Sequence, residues 1–212
     1  MLFRSADLLS LSRIELNEHT PPTGQVKLGE IIRTIVDGLE FKAAGKQMTI
    51  VIDTPPPDGE TPTRLDELPA VNGDDDELTQ VFQNLIDNAI KYGRTGAAIR
   101  IAGWMEAPTP AAGAPLPARR LDRPAVGIAV MDEGDGIARE HLPRLTERFY
   151  RINTARSREL GGTGLGLAIV KHILNRHRGA LDIDSTVGIG STFTVRLPIA
   201  ARGRAAGEGG AT

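Results

Sequence analysis

One helical stripe constrains this chain more than any other feature. Leu78, Val81, Phe82, Leu85, Ile86, Ala89 and Ile90 recur at three- and four-residue spacing, which predicts an amphipathic helix with one apolar face to bury. Asn84 and Asn88 stand four apart beside that face, and Lys91 follows one turn on. Asn competes for backbone hydrogen bonds, so helix propensity does not account for this file of amides. Either it is a polar edge meeting solvent, or it is there for a ligand. Asp74, with Glu77 three residues later, has the form of a capping box that opens the helix. The run Asp74–Asp75–Asp76 reads as favourable charge at the helix N-terminus rather than as a metal site.

The rest of the chain supplies partners for that face. With 212 residues it can bury a core and suits one domain plus an appendage. Leu2, Leu8, Leu9, Leu11, Ile14 and Leu16 make residues 1–18 the tail of a longer helix that needs a partner surface. Pro21, Pro22 and Gly24 mark 19–26 as a linker. Leu28, Ile31, Ile32, Ile35, Val36 and Leu39 predict a helix ending near Gly45, and residues 48–52 a strand. Residues 54–68 read as a loop and 69–72 as a brief strand. Residues 97–104 and 126–131 read as hairpin strands around a flexible Ala- and Pro-rich insertion, 106–123. A short helix is expected around 140–148, a mobile loop over 154–164, and a helix over 165–178. Strands at 181–185 and 192–197 precede a disordered Gly- and Ala-rich tail, 200–212. Helices interleaved with strands and late hairpins predict a two-layer α/β sandwich with a mixed, mostly antiparallel sheet and helices on one face.

Composition removes several function classes. A net charge of -2 gives no basic surface for nucleic acid. The absence of cysteine rules out disulfides and thiolate metal sites. No apolar run approaches the ~20 residues that cross a bilayer, and Met1–Arg4 lacks a signal-peptide core, so a soluble chain without direct membrane contact is expected. Aromatics are 4% of residues, so the core is aliphatic.

Three further segments carry chemistry. Asp132-x-Gly134-x-Gly136 follows a buried strand, where glycines permit a sharp turn and close approach of a flat ligand, and the carboxylate accepts from an exocyclic amine. An ordinary Asp/Gly turn is the alternative. Gly161–Gly162–Thr163–Gly164–Leu165–Gly166–Leu167 precedes a helix, and its exposed N–H groups with the helix N-terminus suit phosphate. It matches neither the dinucleotide fingerprint nor a Walker A loop, and a plain helix-entry loop is the alternative. Glu147–Arg148–Phe149–Tyr150–Arg151 offers cations for a polyphosphate beside two aromatics, with Phe149 expected in the core.

The order of these segments resembles the catalytic, ATP-binding domain of sensor histidine kinases, within the wider ATPase group of gyrase, Hsp90 and MutL. The match spans about residues 26–198. The run 84–92 resembles the N box, 132–136 the first glycine box, 149–151 the F box, 162–166 the second glycine box and 188–193 the final glycine motif. The resemblance implies the Bergerat-type fold, ATP and Mg²⁺. Asn88 binds the metal, with Asn84 nearby; Lys91 touches the phosphates and Tyr92 lies against adenine. Asp132 accepts from the adenine amine, Thr192 shares a water there, and Gly134, Gly136 and Ile137 flank it. Arg151 offsets charge on the transferring phosphoryl, with Phe149 and Tyr150 beside it. The loop 151–165 acts as a lid, and Gly162, Thr163, Gly164, Leu165, Gly166 and Leu167 bind phosphate. Asn88, Lys91 and Arg151 are the implied catalytic residues.

The resemblance also implies a homodimeric parent, cytoplasmic here and inner-membrane-attached elsewhere, that passes phosphate through a dimerisation-domain histidine to the receiver domain of a response regulator. Residues 7–15 resemble the end of a dimerisation helix, and 10–19 the same region of phosphate-regulon sensors. The family's phosphoacceptor motif, a histidine with an acidic neighbour and a proline shortly after, appears nowhere. None of His19, His141, His172 and His177 is assigned as acceptor, and each is expected at the surface. The chain is therefore expected to bind ATP without phosphorylating itself. A competing reading is an anti-sigma-type serine kinase or an ATP-binding regulatory module without transfer activity. The Phe–Tyr–Arg segment and the preceding helix count against the first, and intact nucleotide motifs against the second. A gyrase- or MutL-like ATPase wants a catalytic Glu where Gln83 and Asn84 stand.

Overall fold

A computed structural model describes residues 20–57, 59–108, 121–152 and 163–200. The expected N-terminal helix with His19, most of the insertion, the lid residues 153–162 with Gly162, and the tail from 201 lie outside the described residues.

The short strand β1 (Gln25–Val26) leads into α1 (Leu28–Ala44) and β2 (Thr49–Val51). The strand β3 (Val71–Asn72) precedes α2 (Asp75–Tyr92), which carries the amide file. There follow β4 (Ala98–Glu106), β5 (Ala125–Asp132), α3 (Gly166–Arg176), β6 (Ala180–Thr186) and β7 (Gly190–Pro198). The main sheet has the order β2-β4-β5-β7-β6, with β2 parallel to β4 and the other pairs antiparallel.

Strand parity decides what faces the helices. The antiparallel register pairs Ile101 with Val130 and Val130 with Phe193, so these side chains share one face. Leu28 and Ile32 of α1, Leu78, Phe82, Leu85 and Ile86 of α2, and Val170 and Ile173 of α3 are fully buried against that face. Each such side chain contributes about 1.5–3 kcal/mol relative to exposure. Asp132, paired with Ser191, is the last residue of β5 on the same face. A carboxylate thus ends the core-facing row of the sheet.

The opposite face holds a smaller cluster, Ala102, Trp104 and Ala129. Gly127 makes room for the indole, since a Cβ there would lie 2.2 Å from Trp104 Cε2. Beside it, buried Arg196 ion-pairs with Glu106 at 3.0 Å and also with Asp182.

Several elements differ from expectation. Residues 25–26, read as linker, pair with 71–72 in a separate two-stranded sheet, because Val26 and Val71 are buried together. The helix expected over 140–148 is only a 3-10 turn at Leu142–Arg144, where Pro143 lacks the N–H an α-helix needs. Phe149 is not in the core: it is 60% exposed and takes φ 63°, which closes the turn. His177 is not at the surface but 4% exposed between α2 and α3.

Candidate functional site

A cavity of about 700 Å³ opens between α2, the ends of β5 and β7, and the segments around residues 136, 151 and 164. Asn84, Asn88, Lys91 and Tyr92 line it from α2, because the polar file borders the buried stripe of that helix. Asp132 lines it from the sheet. Gly136, Ile137, Tyr150, Arg151, Thr163, Gly164, Gly166 and Leu167 complete the walls. Segments separated by more than eighty residues therefore meet.

Four predicted residues among those described do not line the cavity. Gly134 stands behind the wall: it bridges to Gly93, and a Cβ on it would lie 2.6 Å from Tyr92 O and 2.8 Å from Asp132 Oδ1. Leu165 is buried in the core. Phe149 ties its N–H to Gly164 O at 2.8 Å while its ring stays outside. Thr192 pairs with Met131 on the opposite face of the sheet, and its neighbour Ser191 lines the cavity beside Asp132 instead. The sequence reading also passed over Lys42, Asp87 and Phe193, which line the cavity.

The electrostatics single out Asp132. It is 8% exposed, and burial pushes its carboxyl up to about 6 against a lowering hydrogen bond from the Ser191 main chain. A carboxyl so placed is poised to accept a hydrogen bond from a ligand that also excludes water. Positive groups gather on the other walls. Arg151 has Nε and Nη2 buried without a hydrogen-bond partner among the described residues. Lys91 Nζ pairs with Asp87 Oδ2 at 2.7 Å.

Two glycines shape the wall at the start of α3. Gly164 takes φ 73°, which an L side chain rarely adopts. A Cβ on Gly166 would lie 2.8 Å from Asn84 Oδ1, so α3 begins directly against the amide file. The Asn84 amide donates to Gln80 O at 2.9 Å, which anchors it. The first N–H groups of α3 have no intrahelical partner and stand at the cavity wall. Tyr150 is held by its hydroxyl, 2.8 Å from His141 Nδ1, and by the Arg144 guanidinium 4.2 Å from its ring centroid.

The model of one protein family, the histidine kinase-, DNA gyrase B- and HSP90-like ATPases, matches residues 73–201, more than half of the chain. The chain belongs to this ATPase family. Among curated relatives it is similar to the phosphate regulon sensor protein PhoR of Pseudomonas aeruginosa, 37% identical over 190 residues, covering 89% of this chain and 36% of that protein. It is also similar to the sensor-like histidine kinase SenX3 of Mycolicibacterium smegmatis, 36% identical over 192 residues, covering 91% of this chain and 43% of that protein. The chain thus spans less than half the length of these relatives. The mycobacterial sensor histidine kinase MprB has the same fold, with a TM-score of 0.61 at 22% identity, over 83% of this chain and 97% of that one. Full-length ShkA matches with a TM-score of 0.65 at 22% identity, over 92% of this chain and 35% of that one. The sandwich anticipated from the sequence is therefore that of the ATPase family, and the cavity lies within the matched segment except for α1.

Proposed function

We propose that the chain is the catalytic, ATP-binding part of a two-component sensor histidine kinase. Its cavity takes Mg-ATP, and the γ-phosphoryl passes to a histidine nitrogen of a dimerisation domain and then to a response-regulator aspartate. The observation that carries this reading is the buried Asp132 carboxylate facing the same cavity as the Asn84–Asn88 file. The relatives, one named a phosphate regulon sensor protein and the other a sensor-like histidine kinase, support it, as does ShkA, described in complex with the ATP analogue AMPPNP.

Each residue then has a physical task. Asp132 accepts from the adenine amine, with Ser191 at its side, and Tyr92 lies against the purine. Asn88, with Asn84, presents neutral amide oxygens, a donor set that fits Mg²⁺ held mainly by phosphates and water. Among the described residues no cluster of His, Asp and Glu suited to a metal competes with it. When bound, Mg²⁺ neutralises and orients the β- and γ-phosphates. Nε and Nη2 of Arg151, which have no partner among the described residues, and the N–H groups of α3 meet phosphate oxygens. In transfer, the histidine nitrogen attacks the γ-phosphorus, the bond to the bridging oxygen breaks, and ADP leaves with the electron pair. The chain places and stabilises, and forms no covalent bond itself.

The acceptor histidine comes from the dimerisation domain. His177 has both ring nitrogens engaged, accepting from Asp74 N–H and donating to Ile173 O, and His141 is bonded to Tyr150. In this reading residues 27–199 are the catalytic domain and 151–165 its lid, 1–18 end a dimerisation helix, and the parent is a membrane-attached homodimer with this part in the cytoplasm. Among the described residues no helix is long and apolar enough to cross a membrane.

The test is titration with a fluorescent ATP analogue, with and without Mg²⁺. Asp132→Ala should abolish binding under both conditions, whereas Asn88→Ala should mainly remove the metal dependence. Equal binding by both variants and the unaltered chain would overturn the assignment. With a dimerisation domain supplied, acid-labile label on that partner supports the kinase, and free phosphate alone favours a hydrolase.

A further inference from the structure

The wall of the cavity farthest from Asp132 in sequence comes from α1, outside the segment that the family match covers. Two lysines four residues apart, Lys42 on α1 and Lys46 just past its end, reach across to α2. Lys46 Nζ donates to Ile90 O at 2.8 Å and Lys91 O at 2.7 Å, satisfying carbonyls at the C-terminus of α2. Lys42 Nζ ion-pairs with Asp87 Oδ1, while Lys91 Nζ holds Oδ2 of the same carboxylate at 2.7 Å. Lys42, Asp87 and Lys91 all line the cavity, and the Asp87 side chain is 21% exposed.

From this arrangement we infer that Lys42 is a positioning residue for the phosphate end of the cavity, acting through Asp87 to release Lys91 to the ligand. The inference rests on the Mg-ATP reading and names a residue that the family match leaves outside. Lys91 reaches a polyphosphate only by leaving Asp87. If Asp87 had no second cation, that departure would strand a largely buried carboxylate beside an incoming anion, and Lys91 would stay locked. With Lys42 on the other oxygen, Asp87 remains paired throughout, so Lys91 exchanges one anion for another. Lys42 therefore favours the phosphate-bearing part of the ligand and leaves the nucleoside end untouched.

The experiment is competition of a fluorescent ATP analogue by ATP and, separately, by adenosine on the full chain. Lys42→Met should weaken ATP by about tenfold, the worth of one hydrogen bond to a charged group, and leave adenosine unchanged. Lys42→Arg should retain ATP affinity. Adding Asp87→Asn to Lys42→Met should restore most of the loss, because no carboxylate then retains Lys91. Three results would overturn the inference alone: an equal loss for ATP and adenosine, no loss for either, or a loss that Asp87→Asn does not relieve. Failure of the unaltered chain to bind either compound would instead overturn the nucleotide reading, and this inference with it.

Discussion

Asp132 ends a row of core-facing residues with a carboxylate where the preceding positions carry Val126, Ile128 and Val130. Its pKa of about 6 stands above the ordinary 3.8, so the folded protein prefers the protonated form. The stabilisation from that proton is complete below about pH 3.8 and is lost as pH rises through about 6. Above that range the unliganded fold carries a desolvated charge at a cost of about 1–3 kcal/mol, reduced by the water that still reaches the cavity. Asp132→Asn should therefore raise the melting temperature of the ligand-free protein by a few degrees at pH 7.5 while weakening nucleotide binding. In the unaltered chain, affinity for the ATP analogue should fall as pH drops below about 6, where Asp132 takes up its proton. Calorimetric melting and titration at pH 5 and pH 7.5 check both. A variant that melts lower and binds normally would show that the carboxylate is structural.

At the scale of elements, α3 meets α2 at both of its own ends. Near the cavity, Gly166 lies against Asn84. At the far end the expected capping box forms by half: Asp74 Oδ1 accepts from Glu77 N–H at 3.1 Å. The reciprocal half is replaced from α3. Asp74 N–H donates to His177 Nε2 at 3.0 Å, and Glu77 ion-pairs with Arg176. Because Nε2 accepts, the neutral ring carries its proton on Nδ1, which donates to Ile173 O at 2.8 Å. Burial lowers the His177 pKa below 6.5. The neutral form therefore stabilises the fold, fully above about pH 6.5, and this contribution is lost as pH falls below that value. His177→Phe keeps the bulk and leaves Asp74 N–H without its acceptor, which should cost about 1–3 kcal/mol at pH 7.5. The gap between the two proteins in urea unfolding should narrow at pH 5.5. Asp132, whose trend runs the other way, is common to both and cancels in the difference.

For the whole molecule, the cavity joins α2, the ends of β5 and β7 and the start of α3 around one volume, so a ligand there adds cohesion between parts distant in sequence. Free Mg-ATP at one hundred times its dissociation constant should add about 2.7 kcal/mol to stability. For a chain of this size that raises the melting temperature by about 5–10 °C. Amide exchange should slow around residues 84–92, 132–137 and 163–169 more than in β6. Uniform slowing, or none, would place the ligand elsewhere. Much of this was legible in the chain itself. The stripe of α2, the buried run of β5 and the glycines at 134, 136, 164 and 166 are local patterns, and local sterics and periodicity decide them. What the sequence left open was relational. Ser191 and Thr192 are neighbouring hydroxyls with equal local claims, and only the pairing of β7 with β5 puts Ser191 on the face of Asp132 and Thr192 on the other. His177 reads as one more polar residue at a helix end until α3 packs its ring onto the N-terminus of α2. Lys42 and Asp87, forty-five residues apart, share a charge only because α1 crosses α2. Periodicity along one element is written in that element's own residues, whereas strand phase and ion pairing belong to two segments at once and exist only after they meet.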